Sequence, residues 1–289
     1  MRRAPLIGIA WVAVLLASSL PFIIWRAFLR HNEAPTRISI LQLAGLGLVL
    51  AASLGWSSVR SLRGMALALV ALVLGDWIRY AIENTSPVVR WSKTAPQYQW
   101  IFLDSLIALI PGALMALTLV GSGLKRRDVF LVRGNLAAPS KMPLGLGPVR
   151  WSSLGPILIA VLSVPLAMQL VATWRPELSP MKKVIGHLPV ILTFAIVNSA
   201  SEEFRFRSVL LARIRPALGN GHALLLTSAL FGLGHWFGHP SGPAGVVMAG
   251  FAGWLWGKSM IETNGFFWAW LIHGIQDVII LTFVVLAPA

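Results

Sequence analysis

The chain is a succession of apolar runs separated by short polar intervals. Most of the runs approach the length of about 20 residues that a helix needs to cross a bilayer. Predicted spans cover residues 6–25, 38–56, 65–82, 100–119, 154–173, 184 to about 211, 223–237, 242–256 and 266–286. The seventh and eighth runs are short and rich in glycine. The pattern therefore predicts an all-α fold, a polytopic transmembrane helix bundle of about eight to nine spans.

Composition supports this interpretation. With 56% hydrophobic and 12% charged residues, the 289-residue chain is far more apolar than a soluble domain of its size. The net charge of +14 comes from Lys and Arg in the short intervals, where they act as topology signals and contacts to anionic lipid. We therefore expect an integral, multi-pass protein, typical of a bacterial plasma membrane, that contacts the lipid bilayer and binds no nucleic acid. The absence of Cys excludes disulfides and thiol catalysis.

A basic interval at residues 121–150 divides the chain. Residues 1–150 hold about four predicted spans and form an N-terminal transmembrane region of unknown role. Residues 151–289 hold about five spans and nearly all the polar groups that are unusual at membrane depth. Two acids of the first region, Asp76 and Asp104, are interpreted as hydrogen-bond partners between helices. The chemistry is therefore expected in the second region.

Two adjacent acids, Glu202 and Glu203, follow the apolar run 184–197. Ionisable groups at membrane depth normally face a bundle interior or a water-filled cavity, and they mark functional sites. On a helix, Glu203 and Arg207 are four residues apart and can form an ion pair, whereas Glu202 points about 100° further round. The doublet is thus predicted to divide into a braced acid and a free acid. The alternative is a helix end that emerges into water, where these side chains are merely solvated.

Two later apolar runs also carry polar groups at a spacing of four residues. Phe231 precedes His235 in one run, and His273 precedes Asp277 in the last. Residues four apart project from the same face of a helix. Buried charges cost several kcal/mol unless they are paired or employed. Because three runs each carry such a group, we expect them to meet in one site.

These three motifs carry a family resemblance. In chain order they are Glu202-Glu203-x-x-x-Arg207, Phe231-x-x-x-His235 and His273-x-x-x-Asp277. They resemble the motifs of the CAAX-processing and bacteriocin-immunity family of intramembrane proteases, also called the CPBP or Abi family, to which the eukaryotic CAAX prenyl endopeptidase belongs. The resemblance covers residues 184 to 286 and implies that residues 151–289 form a CAAX-protease-like catalytic transmembrane domain.

The resemblance also implies an activity, namely a glutamate-dependent endopeptidase that cleaves a membrane-associated or prenylated peptide. The implied roles are general base for Glu202, water binding for His235, oxyanion stabilisation for His273 and Asp277, and structural and electrostatic support for Glu203 and Arg207. Positioned acids and bases accelerate such reactions by about 100- to 10,000-fold. An oxyanion also needs preorganised hydrogen-bond donors, and the loss of one costs about 100- to 1000-fold in rate.

One position departs from the commonest pattern of this family, because its last motif often ends in Asn where this chain has Asp277. An ionised Asp cannot donate a hydrogen bond to an oxyanion. Asp277 can act in its protonated form, or it can orient His273 instead. Asn198, one turn before Glu202, either orients that acid or supports packing between spans.

Two further alternatives concern the chemistry. The family has been described as metalloprotease-like, and Glu202, His235 and His273 are the ligands that a zinc site would use; His239 lies four residues beyond His235. Because Gly238 and Pro240 flank His239, the helix is expected to end there, which makes His239 a poor candidate for a metal ligand. Catalysis without a cofactor is therefore the preferred interpretation. The same buried groups are also compatible with a non-proteolytic scaffold or immunity protein, or with a proton-coupled transporter.

Overall fold

A computed structural model of the chain describes residues 3–29, 35–141, 149–174, 181–238 and 240–286. Across these ranges all regular structure is helical, apart from an isolated β-bridge between Pro139 and Arg150. The all-α class predicted from the apolar runs is therefore confirmed.

Twelve α-helices lie within the described part of the chain. They are α1 (Arg3–Ala17), α2 (Leu20–Leu29), α3 (Pro35–Gly55), α4 (Arg63–Glu83), α5 (Ser86–Ser92), α6 (Gln97–Ile107), α7 (Leu109–Leu117), α8 (Trp151–Trp174), α9 (Met181–Glu203), α10 (Leu210–Gly234), α11 (Gly242–Thr263) and α12 (Phe267–Leu286). A π-helical segment, Phe204–Val209, joins α9 to α10, and short 3-10 turns lie at Arg60–Leu62 and His235–Phe237.

Six helical segments of the described residues are long and apolar enough to cross a membrane. They are Thr36–Gly55, Arg60–Glu83, Gln97–Leu117, Trp151–Thr173, Lys182–Phe237 and Phe267–Leu286. The protein is thus an integral, multi-pass membrane protein. The count of eight to nine spans is not confirmed, because α11 does not meet this test and two predicted spans fall in the single 56-residue segment Lys182–Phe237. Within that segment the backbone leaves helical geometry at Gly219, where φ is 81° and ψ is 173°.

The first predicted span is also interrupted. Residues 6–25 were expected to form one helix, but α1 and α2 meet at an angle of 60°. Ser18 supplies a physical reason, because its hydroxyl donates to the carbonyl of Leu15 (2.7 Å) and accepts from the N–H of Leu20 (3.1 Å). Such local hydrogen bonds from a serine side chain compete with the helical backbone pattern. The bent pair counts as a seventh span if it crosses as one unit.

Packing of α9 against α12 and of α10 against α11 builds the C-terminal half. The approach of α10 and α11 requires glycine, since a Cβ atom on Gly232 would lie 2.6 Å from the carbonyl oxygen of Val246. The polar interval before α8 is tied to α11 through Glu262, whose carboxylate accepts from the indole N–H of Trp151 (2.8 Å) and the backbone N–H of Lys141 (3.1 Å). These contacts hold the helices that carry the three motifs against one another.

Candidate active site

The acid doublet lies where the chain changes from α-helical to π-helical geometry. Glu202 and Glu203 are the last residues of α9, and the π-helical segment starts at Phe204. Short π-helical segments within longer helices frequently occur at functional sites. The side chain of Glu203 is fully buried, whereas that of Glu202 is 20% exposed. Two neighbouring acids thus lie in different surroundings.

Glu203 forms the ion pair predicted from its spacing. Its Oε1 accepts from the Nη1 of Arg207 at 2.9 Å, and neither side chain is exposed. The Arg207 guanidinium also lies over the ring of Phe231, 3.9 Å from the ring centre, and 5.2 Å from that of Trp256. The aromatic faces therefore stabilise the cation that neutralises Glu203. The charges are not solvated at a helix end.

His273, on α12, lies between the two acids. Its Nδ1 donates to the Oε1 of Glu203 at 2.9 Å, because a carboxylate only accepts. Its Nε2 lies 3.5 Å from the Oε2 of Glu202 and 3.6 Å from the Oδ1 of Asp277, which is longer than a typical direct hydrogen bond. The ring stacks on Trp256 with centroids 4.1 Å apart and an angle of 13° between the planes. Contacts on the face and at Nδ1 therefore aim Nε2 at Glu202 and Asp277.

His235 begins the 3-10 turn that follows α10. Its Nδ1 lies 3.0 Å from the carbonyl oxygen of Phe231 and donates to it, and its ring packs against the Phe231 ring at 4.4 Å. The spacing of four residues thus produces both a hydrogen bond and a ring contact. With Nδ1 engaged, Nε2 is the nitrogen that remains to bind another molecule.

The four residues Glu202, His235, His273 and Asp277 line a single cavity of about 1020 Å³. Glu203 and Arg207 lie behind this wall and are fully buried. The structure therefore brings together the side chains of all three motifs: Phe231 and these four line the cavity, and Glu203 and Arg207 support them. A cavity of this size can hold a segment of peptide.

Glu202 is less free than its spacing predicted. The Nη2 of Arg205 lies 3.8 Å from the Oε1 of Glu202, and the Arg205 side chain is only 4% exposed. The separation of three residues between them is a signal in the sequence that could have indicated this pair. The prediction that Glu202 is unpaired is therefore wrong, because Arg205 is a cationic neighbour at 3.8 Å.

The cavity wall also includes Asn198, for which the sequence left open a role beside Glu202 or in packing, and residues that were not predicted as part of the site. Asn198 lines the cavity, and its Nδ2 donates to the Oδ2 of Asp277 at 3.1 Å. The N-terminal region contributes Asp76, Arg79 and Asp104 to the same wall, and Arg79 forms an ion pair with Asp104 that joins α4 to α6. The pair agrees with the expectation that Asp104 bonds between helices. No sequence signal places the pair at the cavity that Glu202 lines, because that requires the packing of distant helices.

The donor arrangement bears on the zinc alternative. Among the described residues, no three or more His, Cys, Asp and Glu side chains are grouped so that they could hold a metal ion. Glu202, His235 and His273 therefore do not form a fitting ligand set, and the further histidine considered, His239, lies outside the described residues.

Comparison with curated proteins and with solved structures gives no match. A family model described as "Rce1-like: Type II CAAX prenyl endopeptidase Rce1-like" matches residues 185–279. The match runs from α9 into α12 and contains all three motifs. Residues 185–279 are therefore a domain of the type II CAAX prenyl endopeptidase Rce1-like family, which confirms the resemblance that the motifs carry.

Proposed function

We propose that the protein is an intramembrane endopeptidase of the CAAX prenyl protease type, which hydrolyses a membrane-associated or prenylated peptide with activated water. The observation that carries this proposal is the convergence of Glu202, His235 and His273 on one cavity among membrane-spanning helices. The proposal places catalysis in residues 151–289 and locates the protein in a bacterial plasma membrane. Residues 1–150 complete the cavity wall.

Glu202 is assigned as the general base. Its carboxylate is the part of the doublet that reaches the cavity, and Arg207 pairs with Glu203 instead of with this acid. Because the Nδ1–H of His235 donates to a carbonyl, Nε2 of the neutral ring accepts a hydrogen bond. A water molecule that donates one proton to Glu202 and the other to His235 directs an oxygen lone pair at the substrate carbonyl carbon. Positioned general bases of this kind contribute about 100- to 10,000-fold to the rate.

The reaction then follows from proton transfer within the cavity. Water oxygen bonds to the carbonyl carbon, Glu202 takes the released proton, and the carbonyl oxygen becomes an oxyanion. His273 is assigned, as an imidazolium with a proton on both ring nitrogens, to stabilise this oxyanion through its Nε2–H, while its Nδ1–H donates to Glu203 on the opposite side. Glu202 finally returns its proton to the leaving nitrogen as the C–N bond breaks. The mechanism needs no metal or other cofactor.

The experiment is hydrolysis by the purified protein, in lipid vesicles, of a panel of prenylated and unmodified peptides, with products identified by mass spectrometry. We expect cleavage that falls by at least about 100-fold in Glu202→Gln. Asp128→Asn is the matched control, because Asp128 is exposed and lies outside the cavity, and it should leave the rate unchanged. Cleavage that survives Glu202→Gln refutes the assignment of the base. Proton-coupled flux without cleavage favours a transporter. If the protein shows neither cleavage nor flux, the result favours a scaffold.

A further inference from the structure

We propose that Asn198 donates a hydrogen bond to the carbonyl oxygen of the scissile peptide, and that Asp277 holds the Asn198 amide in position. This inference rests on the proposed function and extends it. It assigns a catalytic role to a residue outside the three motifs. It also gives Asp277 a role as the acceptor that holds Asn198, since an ionised carboxylate cannot itself donate to an oxyanion.

The geometry places Asn198 beside the reacting groups. Asn198 lies on α9 one turn before Glu202, so the two side chains share a helix face. Both line the cavity together with His273 and Asp277. Asn198 and Asp277 are in hydrogen-bond contact across the α9–α12 interface, with 3.1 Å between Nδ2 and Oδ2. A substrate carbonyl close to Glu202 is therefore also close to the Asn198 amide.

The hydrogen-bond capacities of the two side chains assign their roles. A carboxylate accepts, so the nitrogen of Asn198 faces Asp277 and gives it one of its two N–H groups. In the part of the chain that the structure describes, the second N–H has no partner. Asp277 is only 4% exposed, and its other oxygen lies 3.6 Å from the Nε2 of His273. Asp277 thus lies between the two groups that can donate to an oxyanion, and it holds the Asn198 amide by a direct hydrogen bond.

Such an arrangement is preorganised. The Asn198 amide is held by a buried partner on a neighbouring helix, so it does not have to reorient when negative charge develops on the carbonyl oxygen. The loss of one such donor costs about 100- to 1000-fold in kcat. Because the donor acts mainly in the transition state, its loss should change KM little.

The test compares Asn198→Ala, Asn198→Asp and the exchange variant Asn198→Asp/Asp277→Asn in the vesicle cleavage assay. Asn198→Ala should lower kcat by about 100- to 1000-fold, with KM within about threefold of wild type. Asn198→Asp should be equally impaired, because two carboxylates then face each other. The exchange variant restores an amide–carboxylate pair, with the donor on α12, and should be at least about 10-fold faster than Asn198→Asp. If the pair had only a structural role, these substitutions would lower the unfolding temperature and leave kcat of the folded protein unchanged.

Asn84→Ala is the matched control, because Asn84 is exposed and donates only to the carbonyl of Tyr80. Size-exclusion profiles and thermal unfolding of each variant separate misfolding from a catalytic defect, and the exchange variant supplies a folded comparison if Asn198→Ala does not fold. A folded Asn198→Ala that keeps kcat within about fivefold of wild type overturns the inference. So does an exchange variant no faster than Asn198→Asp. In both cases the wild type still cleaves, whereas a wild type that cleaves no peptide overturns the proposed function and this inference together.

Discussion

Arg207 is predicted to be the most costly charged side chain to remove from the fold. Its guanidinium is fully buried, pairs with Glu203 at 2.9 Å and lies over the ring of Phe231. Arg207→Met keeps most of the side-chain volume but leaves the Glu203 carboxylate buried without its cation. Glu203 also has an oxygen, Oε2, for which the described residues provide no hydrogen-bond partner. Only the hydrogen bond from His273 would then stabilise this acid.

The magnitude follows from the cost of an uncompensated buried charge. Removal of one partner of a buried ion pair typically costs about 3–5 kcal/mol. Each 1.4 kcal/mol changes an equilibrium constant by about tenfold. Arg207→Met should therefore lower the free energy of unfolding by about 3–5 kcal/mol. The double variant Glu203→Gln/Arg207→Met removes both charges and should recover part of that loss.

The assay is reversible unfolding in mixed micelles with increasing sodium dodecyl sulfate, followed by the fluorescence of the chain's 13 Trp residues. Arg63→Met is the matched control, since it removes an exposed guanidinium at the start of α4. It should change the unfolding free energy by less than about 0.5 kcal/mol. The reasoning is refuted if Arg207→Met behaves like Arg63→Met, or if the double variant is no more stable than Arg207→Met.

Two further substitutions test other contacts. A Cβ atom on Gly253 would overlap the Nη2 of Arg207, whereas one on Gly250, in the same helix, would lie 3.6 Å or more from its neighbours. Gly253→Ala should therefore lower both the cleavage rate and the thermal stability more than Gly250→Ala does. Equal effects of the two variants would contradict this prediction. Glu262→Gln weakens the hydrogen bond from the Trp151 indole and should lower the unfolding free energy by about 1–2 kcal/mol, with kcat unchanged. A fall in kcat at unchanged stability would contradict this and would show that Glu262 contributes to catalysis.

Local spacing predicted those parts of the site that lie on one helix. The positions of Glu203 and Arg207 predicted their ion pair, and the positions of Phe231 and His235 predicted a shared face. Apolar runs predicted the helical class for the same reason, because periodicity and length are local properties. The bend after α1 escaped prediction, since it depends on how the Ser18 hydroxyl competes with the backbone.

Contacts between distant helices could not be predicted in this way. The hydrogen bond between Asn198 and Asp277 joins residues on α9 and α12, and nothing in either local pattern indicates it. Asp76 and Arg79 likewise reach the cavity only because α4 packs into the same bundle. The N-terminal region therefore had no predicted link to the site, although it forms part of the cavity wall.

The buried ion pair makes most sense as a device for orientation. Buried pairs are often no more stabilising than apolar side chains of the same volume, so stability alone gives little reason to keep Glu203 and Arg207. Their geometry gives another reason. Arg207 holds Glu203, Glu203 accepts from one nitrogen of His273, and the other nitrogen of that ring lies 3.5 Å from Glu202. The two acids are adjacent in sequence, but Glu203 fixes the imidazole of His273, whereas Glu202 faces the other nitrogen of that ring at the cavity. The charge buried at membrane depth therefore serves to orient an imidazole towards the cavity.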